Sequence, residues 1–225
     1  MKHIYFFSIL VMLLALFLTG CATESSRSIV VEPVQTARMP YYGPRSPISV
    51  GNFDNRSSFM RGIFSDGEDK LGGQAKTILI THLQQTNRFT VLDRDNMEHA
   101  RREAEIMGET QQLIGAAYVV TGDVSEFGRR EISDQQLFGI LGRGKRQIAY
   151  AKVSLNIVDI RTTAVVYSVQ GAGEYELSDR EVVGFGTSSG YDSTLNGKVL
   201  DLAIREAVEQ LTDAIDSGYW APVSS

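Results

Sequence analysis

Two side chains in this sequence, Ser188 and Cys21, have neighbours typical of reactive nucleophiles. Ser188 lies in the run Gly186-Thr-Ser-Ser-Gly190, the spelling of the sharp turn that exposes the nucleophilic serine of many hydrolases. That arrangement needs an acid and then a histidine further along the chain, and the last histidine here is His99. The run is therefore interpreted as a Gly- and Ser-rich strand. No catalytic residue and no enzyme activity are predicted.

Metal and phosphate chemistry are not favoured either. His82 and His99 have no second ligand at metal spacing, and the acidic run at Asp66 lacks the alternating ligands of a calcium loop. The glycine run 139–144 is not followed by the Lys-Ser or Lys-Thr pair of a phosphate cradle. We interpret these features as helix-packing or surface histidines, an acidic helix start and a turn. No metal and no cofactor are predicted.

Cys21 is the only cysteine, and it follows an apolar segment at the N-terminus. Residues 2–3 are basic, residues 4–18 carry no charge, and residues 19–20 are small. The pattern resembles the lipobox of bacterial lipoproteins, in which the cysteine thiol is diacylated, with palmitate-like chains, and the preceding peptide is removed. A plain secretory signal and an uncleaved helix are the alternatives, but the apolar core is short for a span of about 20 residues.

Residues 1–20 are thus predicted to be a signal peptide, and Cys21 to be the lipidated residue. Ala22 stands where an aspartate marks retention in the inner membrane of enteric-type bacteria. This resemblance implies that the lipid anchor lies in the outer membrane of a Gram-negative bacterium, with the rest of the chain in the periplasm.

The net charge of −5, from 22 basic and 27 acidic residues, argues against a nucleic-acid partner. Residues 21–47 contain four prolines and no periodicity, so they are predicted to be an extended tether. Residues 48–225 are predicted to form one α+β domain, with helices packed on a mixed sheet.

Apolar spacing predicts the elements of that domain. Strands are predicted at 48–53, 89–92, 116–124, 152–160 and 163–169, with helices at 71–83, from Asp95 to Met107, and 195–215. Asp95 and Glu98 have the spacing of a capping box, and Gly108 and Gly218 lie where helices end.

Two regions, about 124–152 and 168–193, are long enough for additional β-hairpins. The second alternates, with a predicted turn at 178–181, and each arm has the roughly 9 to 11 residues of a tilted membrane-spanning strand. The pattern leaves soluble and membrane hairpins equally open. The candidate membrane-facing residues share an apolar or aromatic side chain and are Phe138, Ile140, Tyr175, Leu177, Val183, Phe185 and Tyr191.

Four strands cannot close a barrel, and open sheet edges are not tolerated in lipid. If these hairpins enter a membrane, several copies must share one barrel, which predicts a homo-oligomeric ring built from one repeated contact.

The order of features resembles the curli production assembly/transport component family, the CsgG-type outer-membrane secretion channels. The segments that carry this resemblance are the lipobox, Val50-Gly-Asn-Phe53, Ala75-Lys-Thr-Ile-Leu79, Arg88-Phe-Thr-Val-Leu-Asp-Arg94, Gly122 and Val153-Ser-Leu-Asn-Ile-Val158. The resemblance implies a periplasmic ring topped by a shared barrel, in which four strands from each of about nine copies would give roughly 36 strands. It also implies export of unfolded, curli-like polypeptides without ATP hydrolysis at the channel.

In this family a loop between the first strand and the first helix forms the channel constriction, which corresponds to residues 59–68 here. Matching back from Ala75 places Gly62, Asp66 and Gly67 where the curli channel has tyrosine, asparagine and phenylalanine. Phe59 and Phe64 are nearby aromatic candidates, whereas a ring of Asp66 carboxylates would form a wider, acidic throat.

Two functions remain from the sequence. The first is a lipid-anchored channel subunit that exports unfolded polypeptide. The second is a periplasmic lipoprotein that serves as an interaction module in cell-envelope or surface-appendage assembly, with hairpins in water and with accessory assembly proteins as partners.

Overall fold

The computed structural model describes residues 33–35, 40–59, 69–135, 143–181 and 195–223. The elements in chain order are β1 (Ser46–Asn55), α1 (Lys70–Gln85), β2 (Phe89–Leu92), α2 (Met97–Met107), β3 (Tyr118–Gln135), β4 (Arg143–Asp159), β5 (Val165–Glu181) and α3 (Leu195–Asp216). The α+β class and a mixed sheet with helices packed on it are therefore confirmed.

The five strands form one sheet in the order β2-β1-β3-β4-β5. β1 runs parallel to both β2 and β3, because the connections through α1 and α2 return the chain to the same end of the sheet. β3, β4 and β5 are antiparallel neighbours that follow one another directly. The two helix-containing connections therefore belong to the β2-β1-β3 part of the sheet, and β3, β4 and β5 form a simple meander.

The core lies between the sheet and the helices α1 and α3. Alternating residues of β4, Val153, Leu155 and Ile157, are buried on one face, as the sequence predicted. Leu79 of α1 and Ile204 of α3 are also fully buried. Burial of one aliphatic side chain contributes about 1.5 to 3 kcal/mol, so this layer stabilises the packing of the helices on the sheet.

Both helix ends marked by glycine are confirmed. Gly108 ends α2 with φ of 73°, and Gly218 follows α3 with φ of 77°. A left-handed residue at this position lets backbone N–H groups bond to the last carbonyls of the helix, as the Gly218 N–H does with the Ile215 oxygen at 3.1 Å. Glycine adopts this conformation without a Cβ penalty.

The predicted capping box of α2 is wrong. The helix begins at Met97 after Asn96, whose side chain makes no capping hydrogen bond. Asp95 pairs instead with Lys76 of α1 at 2.5 Å. Asp93 accepts hydrogen bonds from the Asn96 side chain at 2.7 Å and from its backbone N–H at 3.1 Å, and these bonds lower the pKa of Asp93. The long-range ion pair thus replaces the local capping contact.

The packed domain begins before Ile48. Val34 is fully buried and belongs to the hydrophobic core, and the compact unit starts at Pro33. Val34 follows Pro33 in a stretch without helix or strand periodicity, so the sequence pattern did not predict its burial. Among the described residues, no helix has the length and apolar character needed to cross a bilayer.

Candidate functional site: a projecting ribbon and a clamped loop

The three antiparallel strands project beyond the rest of the sheet as a ribbon, formed by residues 126–135 of β3, 143–152 of β4 and 172–181 of β5. The last β3 residue paired with β1 is Val124, opposite Asn55. From Glu126 onward the pairing of β3 with β4 continues without a break to Gln135, which lies opposite Arg143. Ten paired rows at about 3.3 Å per residue give a ribbon roughly 33 Å long.

A β-bulge marks the base of this ribbon. The β3–β4 register shifts between Val124 and Glu126, so that Ser125 is the extra residue. Its hydroxyl donates to the Lys152 carbonyl at 3.2 Å. A bulge increases the local twist and bends the strand, so this position is where the ribbon can change direction relative to the domain sheet.

Helix α3 covers one face of the lowest rows. Gly171 and Gly173 of β5 face the α3 backbone and side chains near Ala203. Two rows higher, the Lys198 ammonium lies 5.0 Å from the centre of the half-buried Tyr175 ring, and Arg129 Nε donates to Asn196 Oδ1 at 2.8 Å. Tyr175, predicted to face the membrane, therefore lies at the base of the ribbon, against the first turn of α3.

The turn predicted at residues 178–181 of the second hairpin is wrong. Residues 178–181, predicted to turn, continue β5 and pair with residues 143–146 of β4. The polar run Ser-Asp-Arg-Glu favours a turn locally, but by remaining extended its backbone groups that face β4 gain ladder partners. Leu177 lies in β5 opposite Gln147.

From Arg130 to Gln135 of β3, six consecutive rows of the ribbon each contain a charged residue. The sequence pattern did not predict this. The rows are Arg130–Ile148–Glu176, Glu131–Gln147–Leu177, Ile132–Arg146–Ser178, Ser133–Lys145–Asp179, Asp134–Gly144–Arg180 and Gln135–Arg143–Glu181. Charged residue types therefore occur in six consecutive rows of the backbone register.

The loop that follows β1, residues 56–68, is clamped at both of its ends. Asp69 is the N-cap of α1: its Oδ1 accepts from the Gly72 N–H at 2.8 Å, and its Oδ2 accepts from the Asn55 N–H at 2.6 Å. The predicted acidic helix start is confirmed at this residue. One carboxylate thus joins the last residue of β1 to the first turn of α1.

The first half of the loop is also attached to the ribbon base. The backbone N–H groups of Arg56 and Ser57 both donate to the Val124 carbonyl at 3.0 Å. The rings of Phe59 and Phe127 lie 4.6 Å apart at 44°. Phe59, a predicted constriction residue, therefore packs on β3 just above the bulge. Such an aromatic pair contributes about 0.5 to 1.5 kcal/mol beyond its buried area.

A turn at residues 55–59 also fixes the start of this loop. Asn55 Oδ1 accepts from both the backbone N–H and the hydroxyl of Ser57, and Asn55 Nδ2 donates to the Phe59 carbonyl at 2.8 Å. Sequence reasoning missed Asn55 and Ser57, although an Asn-x-Ser spacing at a strand end is a known turn signal. Phe127 could not have been found, because the contact depends on the long-range register of β3.

Several predicted residues lie outside the described part of the chain. They are the lipidation residue Cys21, the loop residues Gly62, Phe64, Asp66 and Gly67, and the hairpin residues Phe138, Ile140, Val183, Phe185 and Tyr191. Ser188 also lies outside it. The structure therefore brings together Phe59 of the loop and the base of the ribbon, and it places Tyr175 on the α3 side of that base.

The histidine interpretations are supported by the described contacts. His82 of α1 is buried and its Nε2 lies 2.8 Å from Asp201 Oδ1 of α3, a helix-packing role. His99 is exposed on α2. Across the described ranges, no three His, Cys, Asp or Glu residues are arranged to hold a metal ion.

Replacing Asp69 separates its two roles. Asp69→Ala should destabilise the domain by about 0.5 to 2 kcal/mol, because the N-cap is lost, and should free the loop ends. Asp69→Ser keeps a capping hydroxyl but is too short to bridge to Asn55. Urea unfolding should therefore show near wild-type stability for the serine variant, while hydrogen exchange at the Asn55 amide accelerates in both. Unchanged exchange in both variants would contradict the clamp.

Comparison with known proteins gives the following relationships. The family model described as curli production assembly/transport component CsgG matches residues 31–224. A protein of Neisseria meningitidis serogroup B that is named as a lipoprotein is 68% identical over 208 residues, which covers 92% of this chain and 93% of that protein.

Solved structures show weaker likeness. A PelC dodecamer from Paraburkholderia phytofirmans has 15% identity and a TM-score of 0.35, covering 76% of this chain and 91% of that chain. The lipoprotein GNA1162 from Neisseria meningitidis has 14% identity and a TM-score of 0.37, covering 76% of this chain and 99% of that chain.

Proposed function

Because this chain belongs to the curli production assembly/transport component (CsgG) family, we propose that it is a lipid-anchored outer-membrane channel subunit. In this proposal, identical copies form a ring, and unfolded polypeptide passes through its centre without any bond being broken. The observation that carries the proposal is the ribbon, which extends about ten rows past β1 and in which β3, among the described residues, has one edge without a strand partner.

The exposed edge is the physical reason for a ring. Beyond Val124, β3 pairs only with β4 among the described residues, so its other side presents a row of backbone N–H and C=O groups. Such an edge pairs readily with another strand, and in lipid it must do so. A neighbouring copy can supply that strand, and the same contact repeated around an axis closes a ring. The copy number, nine by family resemblance, remains part of the proposal.

The anchor and the compartment follow from the N-terminal segment. Cys21 stands in a lipobox-like run, and the Neisseria relative is named as a lipoprotein. With two or more acyl chains on Cys21, the protein would remain stably on a bilayer. We assign that bilayer to the outer membrane, with the α+β domain in the periplasm.

The clamped loop is the proposed constriction. This assignment comes from the family resemblance, and it is supported by the hydrogen bond that joins Asn55 to Asp69 beside the ribbon base. The packing of Phe59 on Phe127 makes Phe59 an attachment point of this loop. Phe64 and Asp66, together with Gly62 and Gly67, then remain as the residues that could face the passage.

A ring of Asp66 carboxylates makes the throat acidic, and this gives a testable prediction. In planar bilayers, the channel should prefer cations, because a narrow passage lined with one sign of charge concentrates the opposite ion. Asp66→Asn should reduce the cation-to-anion permeability ratio several-fold. The control Asp213→Asn changes an exposed carboxylate of α3 and should leave selectivity unchanged. Equal selectivity in all three proteins would show that the constriction has been misplaced.

One observation favours the second function, a periplasmic interaction module. The six charged rows of the ribbon suit water or a polar partner better than hydrocarbon. In that case the ribbon would dock on cell-envelope or appendage proteins.

Reconstitution into planar bilayers tests these functions. Discrete conductance steps from the purified lipidated protein support the channel. Membrane-bound protein that never conducts, at any loading, supports the interaction module.

A further inference from the structure

Helix α2 has an apolar face that its own domain does not bury. None of its 11 residues is buried. Met97, Ala100, Ala104 and Met107 recur at intervals of three and four residues, so they form one apolar stripe along the helix. A helix this short is marginally stable in water when nothing packs on it, because its first turn is costly to form. The stripe therefore needs a partner surface.

The exposed large apolar side chains of the domain are clustered in two places. Of the twelve such side chains among the described residues, five belong to α2 and the segment after it and three to the end of β4 and the start of β5; they are Met97, Ile106, Met107, Leu113 and Ile114, and Ile160, Val165 and Val166. We call the first set the α2 flank and the second set the β5 flank. Single exposed apolar residues are normal, whereas clusters of them mark interaction surfaces.

The two flanks belong to opposite edges of the sheet and to the same level. β2 and β5 are the first and last strands in the sheet order, and the α2 connection leaves the sheet after Leu92 of β2. One row of paired residues crosses the whole sheet from Leu92 through Ser49, Val119 and Val158 to Val165 of β5. The residue at which the chain leaves β2 is therefore level with the start of the β5 flank.

Two polar contacts hold the α2 connection at the β2 edge. Asp95, two residues before the helix, pairs with Lys76 of α1 at 2.5 Å. Arg94 Nη2 donates to the Ile114 carbonyl at 2.6 Å, which joins the beginning of the connection to its end. These contacts fix the connection at both of its ends and leave the apolar side chains of the α2 flank exposed.

We propose that the α2 flank of one copy packs against the β5 flank of the next copy around the ring. This inference deepens the proposed function and rests on its shared ring. The unpaired edge of β3 in the ribbon is on the side of the sheet where β1 and β2 lie, so a neighbour that pairs with this edge stands beside the α2 flank. In a heterologous contact that neighbour presents its opposite edge, which carries its β5 flank.

The chemistry of the two flanks suits such a contact. Met107 is 76% exposed, and a methionine side chain is flexible enough to adapt to a partner surface. Val165 is 57% exposed on the last strand of the sheet, and its β-branched side chain is stiff. An exposed apolar edge strand tends to associate with other chains, so a partner that covers it also prevents aggregation.

Cross-linking tests the contact in the full-length lipidated protein, kept in outer membranes. Met107→Cys and Val165→Cys are combined in one chain and treated with a short bismaleimide. A ladder of covalent multimers that ends at the size of the ring is expected. Each single variant should remain monomeric, because a heterologous contact brings unlike residues together. The control Met107→Cys with Gln210→Cys, an exposed position on α3, should also remain monomeric.

Two results of this experiment would overturn the proposal. Dimers from Met107→Cys alone would show that α2 meets α2 of a partner in a twofold contact. Ring-forming protein in which the combined Met107→Cys and Val165→Cys variant gives no ladder would show that the two flanks do not meet.

Opposite charges provide an independent test by rescue. Met107→Glu and Val165→Lys should each reduce the fraction of protein in rings several-fold on native gels, because each places an unpaired charge in an apolar contact. The two substitutions together should restore the rings. Both positions are exposed in the single chain, so urea unfolding of the domain should be unchanged in all three variants. Rings that survive both single substitutions, or a double variant no better than the single ones, would overturn the contact.

Failure of the channel would look different. A ladder from protein that never conducts would retain the contact between the flanks and reject the channel. Rings and conductance without the ladder would retain the channel and reject the contact. Protein that gives neither rings nor a ladder would reject both.

Discussion

Gly171→Ala should destabilise the domain by about 3 kcal/mol or more, as measured by urea unfolding of the mature chain. A Cβ at this position would overlap the Ala203 carbonyl and lie 2.5 Å from the Ala207 nitrogen, both in the backbone of α3. Backbone cannot rotate away as a side chain can, so α3 must shift from β5. Because α3 also covers the ribbon base, this single methyl group should disturb the ribbon as well.

A matched glycine provides the control. Gly73 lies in α1, and a Cβ there would meet nothing within 4 Å. Gly73→Ala should therefore stabilise the domain by about 0.5 to 1 kcal/mol, through the higher helix propensity of alanine. If Gly171→Ala were as stable as the wild type while Gly73→Ala behaved as expected, α3 could not be seated on β5 in this way.

Cys21→Ala should remove nearly all of the protein from the membrane fraction. A single acyl chain gives only marginal binding, stable anchoring needs two, and without the cysteine there is none. Cell fractionation with immunodetection should find the variant among the soluble periplasmic proteins.

The companion variant Ala22→Asp keeps the lipidated cysteine. In an enteric-type host it should remain membrane-bound but move toward the inner membrane. Normal outer-membrane fractionation of Cys21→Ala would contradict the lipid assignment, whatever the companion does.

Where the apolar spacing was strong, sequence alone predicted the fold. The helix α3 was placed at 195–215, within one residue of its observed end, and β2 at its observed residues 89–92. The apolar stripe of α3 lies within its own length, so local periodicity determines that helix, whereas β2 is a four-residue run of apolar and β-branched residues in which only Phe89 is buried.

The predictions from sequence were wrong where contacts with residues distant in the chain determine the local structure. Residues 178–181 have turn chemistry but extend β5, because β4 offers a pairing partner that no local pattern reveals. Val34 lies in a proline-containing stretch without apolar periodicity, and only the tertiary structure shows its burial. Asp95 resembles a capping residue, yet its carboxylate forms an ion pair with Lys76 of another helix.

In the candidate site, too, local features could be predicted from the sequence and long-range contacts could not. Asp69 could be assigned to the start of α1 from its type and position, but its bridge to Asn55 required the fold to bring two chain segments together. The presence of a charged residue in each of the six rows likewise could not be predicted without the register of the three strands. Arg146, for instance, shares a row with Ile132 and Ser178, and these are far apart in the chain.

Negative-stain imaging of the full-length lipidated protein, extracted from outer membranes in mild detergent, tests the central claim most directly. If copies join through the ribbon edges, the images should show closed rings with a central opening and a uniform number of subunits. A uniform population of small particles of single-chain size, from protein that is correctly anchored and folded, would contradict the shared ring.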